Sequence, residues 1–265
     1  MRRYELSDFE WSIIHPRLPN KVRGVARVDD RKVLNGILWR FRTGSPWADV
    51  PERYGPYTTC YNRFVRWRKA GVWDRLLAAV SKAFDGEIIM IDSSCVRVHQ
   101  HAAAAKKGDD DGCMGRSRGG LTTKIHALVD AEGRPIDLVL TAGQAHDGKP
   151  AAAMLDALQP DAILLADRAY DSDAIRTLAA ERKAWANIPP KKNRTGSFPF
   201  SAWVYRQRNL VERYFNKLKH FRGIATRYDR DPQNFLAAIK LASVRIWLKS
   251  YESSCNLWLL PSGLG

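Results

Sequence analysis

The chain has 265 residues, 45% of them hydrophobic, and a formal net charge of +15 from 43 Lys and Arg against 28 Asp and Glu. That length and apolar content support one large or two small domains with a real core, and they exclude disorder over the whole chain. No uninterrupted apolar run approaches the roughly 18 residues of a membrane span; the start MRRYELSDFEW has no apolar core behind its arginines, as a secretory signal would; and Cys60, Cys95, Cys113 and Cys255 form no CxxC pair, which argues against a zinc or disulfide framework and predicts a reducing, cytoplasmic setting.

Residues 1–85 read as helices. Ser7-Asp8-Phe9-Glu10 is a capping box for a helix through Leu18. Asp29 and Asp30 can start a second helix that buries Val33, Leu34, Ile37, Leu38 and Phe41, with Gly44 beyond its end. After the turn-rich link SPWADVPERYGPY, Thr58 or Thr59 can cap a third helix that mixes Tyr61, Phe64, Val65 and Trp67 with Arg63, Arg66, Arg68 and Lys69, and Gly71 can end it. A short fourth helix carries Leu76, Leu77 and Val80. A basic, aromatic helix after a Gly/Pro turn fits a helix-turn-helix whose third helix meets DNA through Arg63 and Arg66; a plain bundle with a solvated arginine face is the alternative. Trp39, Trp47 and Trp67 read as core rather than as base-stacking platforms.

From residue 86 the period changes. EIIMID (87–92) is a buried-type strand, and LTTKIHALVD (121–130) and PIDLVLTAG (135–143) alternate as paired strands around the turn AEGR. A helix over 150–158, the buried strand AILLAD (162–167), a helix near 172–182, a short strand at 184–188 and a long helix after the basic loop PPKKNRTGSF follow. HAAAAKKGDDDG (101–112) reads as a flexible loop and GRSRGG (115–120) as a flexible lead-in to the second strand. Three meandering strands and then alternating helix and strand predict an α/β class, with a mixed sheet covered on both faces.

Charge is unevenly spread. Residues 1–85 carry 17 basic and 9 acidic side chains, residues 86–181 carry 10 and 15, and residues 182–250 carry 16 and 3, giving nets of +8, −5 and +13. An acidic centre between basic flanks suits a protein that grips a polyanion, nucleic acid above all, and does chemistry in the middle. Two of the buried strands end in an acid, Asp92 and Asp167. If those strands are neighbours, the two carboxylates lie side by side, and a divalent cation relieves their repulsion. Oxygen ligands without Cys or a suitable His pair favour Mg2+ or Mn2+ over zinc. On the long helix, at about 100° per residue, Tyr205, Arg208, Glu212 and Lys219 fall in a stripe about 60° wide beside an apolar side of Leu210, Val211, Tyr214, Phe215, Leu218 and Phe221. Glu212 is thereby placed to reach a metal site and Arg208 and Lys219 to hold phosphates; a solvated face with weak pairs is the alternative. His99 and His101 read as polar loop residues, His146-Asp147 could neighbour the site, and Asp173, close behind Asp167 and Asp171, reads as a helix N-cap.

Tyr205-x2-Arg208-x3-Glu212-x6-Lys219 matches the Y-R-E-K signature of bacterial insertion-sequence transposases, and the chain resembles the DDE transposases of the IS-four and IS-five groups. Asp92 in IDSSCVRVHQHAAAA and Asp167 in LLADRAYDSDAIR look like that family's first and second aspartates, with 74 residues between them and 44 between Asp167 and Glu212. WRFRTGSPWADVPERYG and YNRFVRWRKAGVW resemble the helical DNA-binding region of the IS-five group. The resemblance covers roughly residues 4–250 and divides the chain at 85 and 86, with 251–265 an uninterpreted tail.

It implies a ribonuclease-H-like, five-stranded mixed sheet with flanking helices, preceded by a helical, helix-turn-helix-like DNA-binding region. It also implies metal-dependent cleavage and strand transfer on double-stranded DNA, at terminal inverted repeats and a target. Asp92, Asp167 and Glu212 would hold two Mg2+ or Mn2+ ions, Tyr205, Arg208 and Lys219 would position the strand, and a homodimer or larger assembly would act at the nucleoid of a bacterial cytoplasm. No GxxxxGK(S/T) loop points to ATP. The rival readings are a catalytically inactive DNA-binding protein or regulator derived from a transposase, and a ribonuclease-H-like nuclease that hydrolyses without joining.

Overall fold

A computed structural model describes residues 4–19, 28–84, 86–103 and 112–258. Most of HAAAAKKGDDDG and the tail from 259 onward lie outside those residues. Four helices come first: α1 (Asp8–Ile14), α2 (Asp30–Thr43), α3 (Tyr57–Lys69) and α4 (Val72–Val80). The capping box of α1 is present in full, with the Ser7 hydroxyl accepting from the Glu10 N–H and the Glu10 carboxylate accepting from the Ser7 N–H. Asp29 caps α2, which ends at Gly44 in the left-handed conformation, φ +76°. The start of α3 differs from the sequence expectation: Pro56 takes the N-cap position without a side-chain cap, so the helix begins ahead of Thr58.

The rest of the chain runs β1 (Ile88–Val98), α5 (Gln100–Ala103), β2 (Gly115–Ser117), β3 (Gly120–Val129), β4 (Pro135–Ala142), α6 (Gly148–Met154), β5 (Ile163–Ala166), α7 (Asp173–Glu181), β6 (Trp185–Asn187), α8 (Ala202–Tyr205), α9 (Asn209–Lys219), α10 (Arg222–Ala225), β7 (Thr226–Arg227) and α11 (Pro232–Trp258). GRSRGG is therefore the hairpin of β2 and β3. The described sheet has seven strands, two more than the resemblance implies. They occupy five positions: β2 and β4 follow one another along the outer edge of β3, and β5 and β7 do the same along β1. The spatial order β4, β3, β1, β5, β6 has β1 antiparallel to β3 and parallel to β5, the mixed ribonuclease-H-like arrangement.

Alternation along β1 sends Ile89 and Ile91 into one core and Met90 and Val96 into another. The first core lies under α6 and α7. The second is larger and joins that face of the sheet to α1, α2, α3, α4, α9 and α11. α11, which the sequence reading did not resolve, binds these layers together. It packs against α4, β4 and α9, places the Tyr214 and Ser243 hydroxyls 2.9 Å apart, and donates the Trp247 indole N–H to the Pro135 carbonyl at 2.6 Å. Tyr251, first residue of the uninterpreted tail, continues α11 and donates to the Val80 carbonyl at 3.2 Å.

One buried ion pair ties the two ends of the described chain. Arg245 of α11 donates to Glu10 at 3.2 Å and to the carbonyls of Tyr4 at 2.6 Å and Glu5 at 2.7 Å. Glu10 is only 1% exposed, so Glu10→Ala strands a buried guanidinium and removes half of the capping box. The expected cost is about 3–5 kcal/mol, read as a fall in the urea midpoint; a change below about 1 kcal/mol would show that the pair is not buried as described.

Candidate active site

The parallel register sets Ile91 beside Ala166, and one residue further each strand reaches its aspartate, so Asp92 and Asp167 are neighbours as the sequence predicts. β5 stops there. Asp167 turns the chain into a 3-10 turn, Arg168–Tyr170, by accepting the Ala169 N–H at 2.8 Å. β1 does not stop: it continues to Val98 because residues 93–97 pair with β3, and Arg97 and Val98 with β7. Between Ala166 and Thr226 the β5 side of β1 has no strand partner among the described residues, and the site opens at this gap.

The stripe helix closes over the gap. It is not one uninterrupted α-helix as predicted, because Arg206–Arg208 form a 3-10 turn between α8 and α9. Dihedrals remain right-handed throughout, so the stripe survives, and the tighter turn sets residues three apart above one another. Arg208 Nε accordingly donates to the Tyr205 hydroxyl at 3.3 Å. Val211, Tyr214, Phe215 and Leu218 bury the inner side of α9, which fixes the other edge against β1. There Arg208 Nη1 donates to Asp92 Oδ2 and to Glu212 Oε1, each at 3.1 Å, and Lys219 Nζ donates to Ser94 Oγ at 2.7 Å. Tyr205, Arg208, Glu212 and Asp92 thus form one connected group, with Asp167 alongside, and Lys219 is held separately on Ser94.

Electrostatics register the crowding. Burial pushes the Asp92 carboxyl up to about 6; Arg208 and the Ser93 N–H oppose the rise, and Asp167 and Glu212 add to it. Every candidate ligand is a carboxylate oxygen, the donor type of Mg2+ and Mn2+. Among the described residues no group of three His, Cys, Asp or Glu stands at metal-holding distance. The cation between Asp92 and Glu212 is instead Arg208.

Behind β1, on the opposite face, lies a second polar group that the sequence hinted at only through His146-Asp147. Asp147 Oδ1 accepts from Ser93 Oγ at 2.7 Å and from Lys124 Nζ at 2.8 Å, and these bonds hold its carboxyl below the ordinary range despite burial. The overlooked signal was the face of β3 that carries Thr122, Lys124 and His126, a polar row within a largely buried strand. His146 caps the loop by accepting the Gly148 N–H at 3.1 Å. His126, fully buried, is pushed down to about 4 by burial and reaches Thr141 Oγ1 at 2.8 Å.

Other expectations are corrected. Arg63 turns inward, 7% exposed, onto Asp30 and the Val28 carbonyl, because it shares the buried side of α3 with Cys60, Phe64 and Trp67; Arg66 remains exposed. The N-cap of α7 is Ser172, whose hydroxyl accepts the Ile175 N–H, while Asp173 pairs with Arg194. Asp171 is a buried structural carboxylate between Arg176 and Arg194. His99 packs its ring 4.7 Å from those of His101 and Tyr228. Trp67 is core, and Trp39 and Trp47 pack on it.

Asp92 has a signed pH signature. Between the ordinary carboxylate value and about 6, the folded protein keeps a proton that the unfolded chain releases, so its stability contribution falls as pH rises through that window and stays lost above it. His126 acts oppositely, its contribution being lost as pH falls from its ordinary value towards about 4, so a difference measurement is needed to isolate Asp92. Asp92→Asn is expected to stabilise the fold by about 1–3 kcal/mol at pH 8 and by almost nothing at pH 4, measured as the wild-type-minus-variant difference in urea unfolding. A difference independent of pH would contradict a carboxylate buried against its charge.

Comparison with known proteins bears on what this group of residues belongs to. The family described as "Putative transposase of IS4/5 family" matches residues 6–77, and the family described as "Transposase DDE domain" matches residues 83–247. The chain is 38% identical over 131 residues to "Putative transposase for insertion sequence element IS6501" of Brucella ovis, covering 49% of this chain and 100% of that one. It is 40% identical over 104 residues to "Uncharacterized protein y4sN" of Sinorhizobium fredii, covering 38% of this chain and 83% of that one. Among solved structures it aligns with the Mos1 transposase paired-end complex with left transposon end, at 13% identity and a TM-score of 0.27, over 88% of this chain and 82% of that one; a likeness that weak carries no weight here. The DDE-domain match spans more than half of the chain, directly after the IS4/5 match, and the chain belongs to the DDE transposases of insertion sequences.

Proposed function

We propose that this transposase binds the terminal repeats of an insertion sequence, cuts the DNA there and joins the freed ends to a target, with Asp92, Asp167 and Glu212 as its catalytic acids. The observation that supports this reading is that Arg208 bridges Asp92 of β1 and Glu212 of α9, while the charge of Asp167, at the end of β5, also acts on Asp92. Asp92, Asp167 and Glu212 would hold two Mg2+ or Mn2+ ions, which when bound activate a water or a 3′ hydroxyl and stabilise the leaving oxygen.

The chain's own residues have separate tasks. Arg208 neutralises Asp92 and Glu212 while no other cation is near, and it must release one of them to open the acid set. Tyr205 steers Arg208 through its hydroxyl. Lys219, anchored on Ser94 two residues beyond Asp92, offers its charge to the phosphate next to the cut. Asp147 and Lys124 fix Ser93, and with it the β1 backbone at Asp92, from behind. The helical region 1–85 contacts duplex DNA, with Arg66 rather than Arg63 on its outer side, and residues 86–250 form the catalytic domain. Cutting two ends together calls for a homodimer or a larger assembly, acting on the nucleoid in the bacterial cytoplasm. No helix among the described residues is long and apolar enough to cross a membrane.

The test is a labelled duplex carrying the terminal repeat that flanks the gene, incubated with the full chain and Mg2+, Mn2+ or EDTA. Cutting at the repeat boundary with either metal, none in EDTA, and a loss of more than about a hundredfold in both Asp92→Ala and Glu212→Ala are expected. Wild-type cutting by either variant would overturn the acid assignment. Tight binding without cutting in either metal would favour the non-catalytic DNA-binding reading, and cutting without joined products would favour a nuclease.

A further inference from the structure

α3 shows what it does not use for its own fold. Its inner side is spent on Cys60, Phe64 and Trp67, and on Arg63 with its partner Asp30. Its outer side presents Tyr57, Thr58, Tyr61, Asn62, Arg66 and Lys69, all exposed. At about 100° per residue these six span half the circumference of the helix. Tyr57, 47% exposed, and Tyr61, 40% exposed, are two of the few large apolar side chains left open to solvent among the described residues. With Trp47, Thr58 and Asn62 they line a shallow cavity of about 250 Å³. Trp47 meets the Tyr61 ring edge-on with centroids 5.5 Å apart, which holds that ring in place. The side chains of Thr58, Asn62, Arg66 and Lys69 make no hydrogen bond to another described residue, so their donors and acceptors are available.

The two halves of this face differ in chemistry. Towards the start of α3 it offers an amide, a hydroxyl and two phenols; towards the end it offers two cations. An asparagine amide can pair with both hydrogen-bonding groups on the major-groove edge of adenine, and threonine or tyrosine carbon can pack on a thymine methyl. Cations at the far end suit phosphates, which add affinity without reading sequence. α3 is about 20 Å long and of a width that the major groove, about 12 Å across, admits.

Building on the DNA-binding reading, we propose that the outer face of α3 is the sequence-reading surface, with Asn62 on an adenine, Tyr57, Thr58 and Tyr61 on adjoining base edges, and Arg66 and Lys69 on flanking phosphates. The chain therefore selects duplexes with an A·T pair opposite Asn62, and base choice and general affinity lie on different residues of one helix.

The experiment is selection from a random-sequence duplex library by the full chain, followed by binding titrations at several salt concentrations. The wild type is expected to enrich one motif. Asn62→Ala should lower the preference for A at one position by about tenfold or more while leaving affinity for random duplex within about threefold. Arg66→Gln with Lys69→Gln should weaken motif and random duplex alike and reduce the salt slope by about two, with the motif unchanged. All these side chains are exposed, so melting temperatures should match the wild type and a folding defect cannot imitate the result. If Asn62→Ala, Thr58→Ala and Tyr57→Ala all select the wild-type motif, sequence is read elsewhere and this inference falls while DNA binding stands. A Tyr61→Ala variant with a new oligomeric state and the old motif would likewise overturn it, marking the face as an interface between copies. A wild type that binds no duplex overturns both readings.

Discussion

Three carboxylates brought together on one side of a sheet are the constraint that the rest of this structure answers. Asp92 is buried enough to be pushed up to about 6, and the charges of Asp167 and Glu212 add to its cost. A group in that position is tolerated only with a compensating cation. Arg208 supplies one, bridging Asp92 and Glu212 with a single nitrogen. A guanidinium takes this role well because it stays charged under any ordinary condition, and because its other nitrogens remain free to be steered, here by Tyr205. The same arrangement makes the pair replaceable: Glu212 is more than half exposed, so its bond to Arg208 is weak in water and easily exchanged.

Support for Asp92 comes from both faces of β1, and the pleat is the reason. Asp92 and Ser94 belong with Met90 and Val96 on the α9 side, where Arg208 and Lys219 meet them. Ser93 points the other way and is held by Asp147, itself paired with Lys124. The polar middle of an otherwise apolar strand is therefore clamped between two ion-pair systems, one per face. Tyr170, buried close behind beside Ser93, has its pKa raised, first by burial and then by the nearby charges of Asp147, Asp92 and Asp167. A third polar layer thus lies against the back of the site.

How much of this was legible in the sequence depended on whether local or distant contacts decide each feature. The capping box at Ser7, the Asp29 cap and the Gly44 stop are local, and they read correctly. Apolar runs also gave the two buried strands, and Asp167 does follow the end of β5, but Asp92 is not a strand end: pairing with β3 and β7 carries β1 on to Val98. Arg63 was misassigned although its signal was present: it falls on the same helical line as Cys60, Phe64 and Trp67, and counting charge along the segment hid that. β7 has two residues and exists only because β1 offers an edge, so no window of sequence could reveal it. The 3-10 turn before α9 is likewise a tertiary matter, since nothing in Arg206-Gln207-Arg208 demands a tighter helix.

The segregation of charge along the chain finds its explanation in the same contacts. The acidic middle, residues 86–181, contributes Asp92, Asp167 and Asp147 to the sheet, and the basic stretch after it contributes Arg208 and Lys219 on a helix that returns to cover that sheet. Docking α9 therefore brings the two halves of the charge pattern into register, with Val211, Tyr214, Phe215 and Leu218 providing the adhesion and Arg208 the neutralisation. Adhesion of this kind is non-directional and would allow the helix to slide or rotate. The direct bonds, Arg208 to Asp92 just before α9 and Lys219 to Ser94 at its end, are directional and lie eleven residues apart in sequence, so together they fix both its rotation and its position along β1. The polar stripe thus sets the register of the helix whose apolar side holds it in place, and the site and the packing of the domain around it are specified by the same few residues.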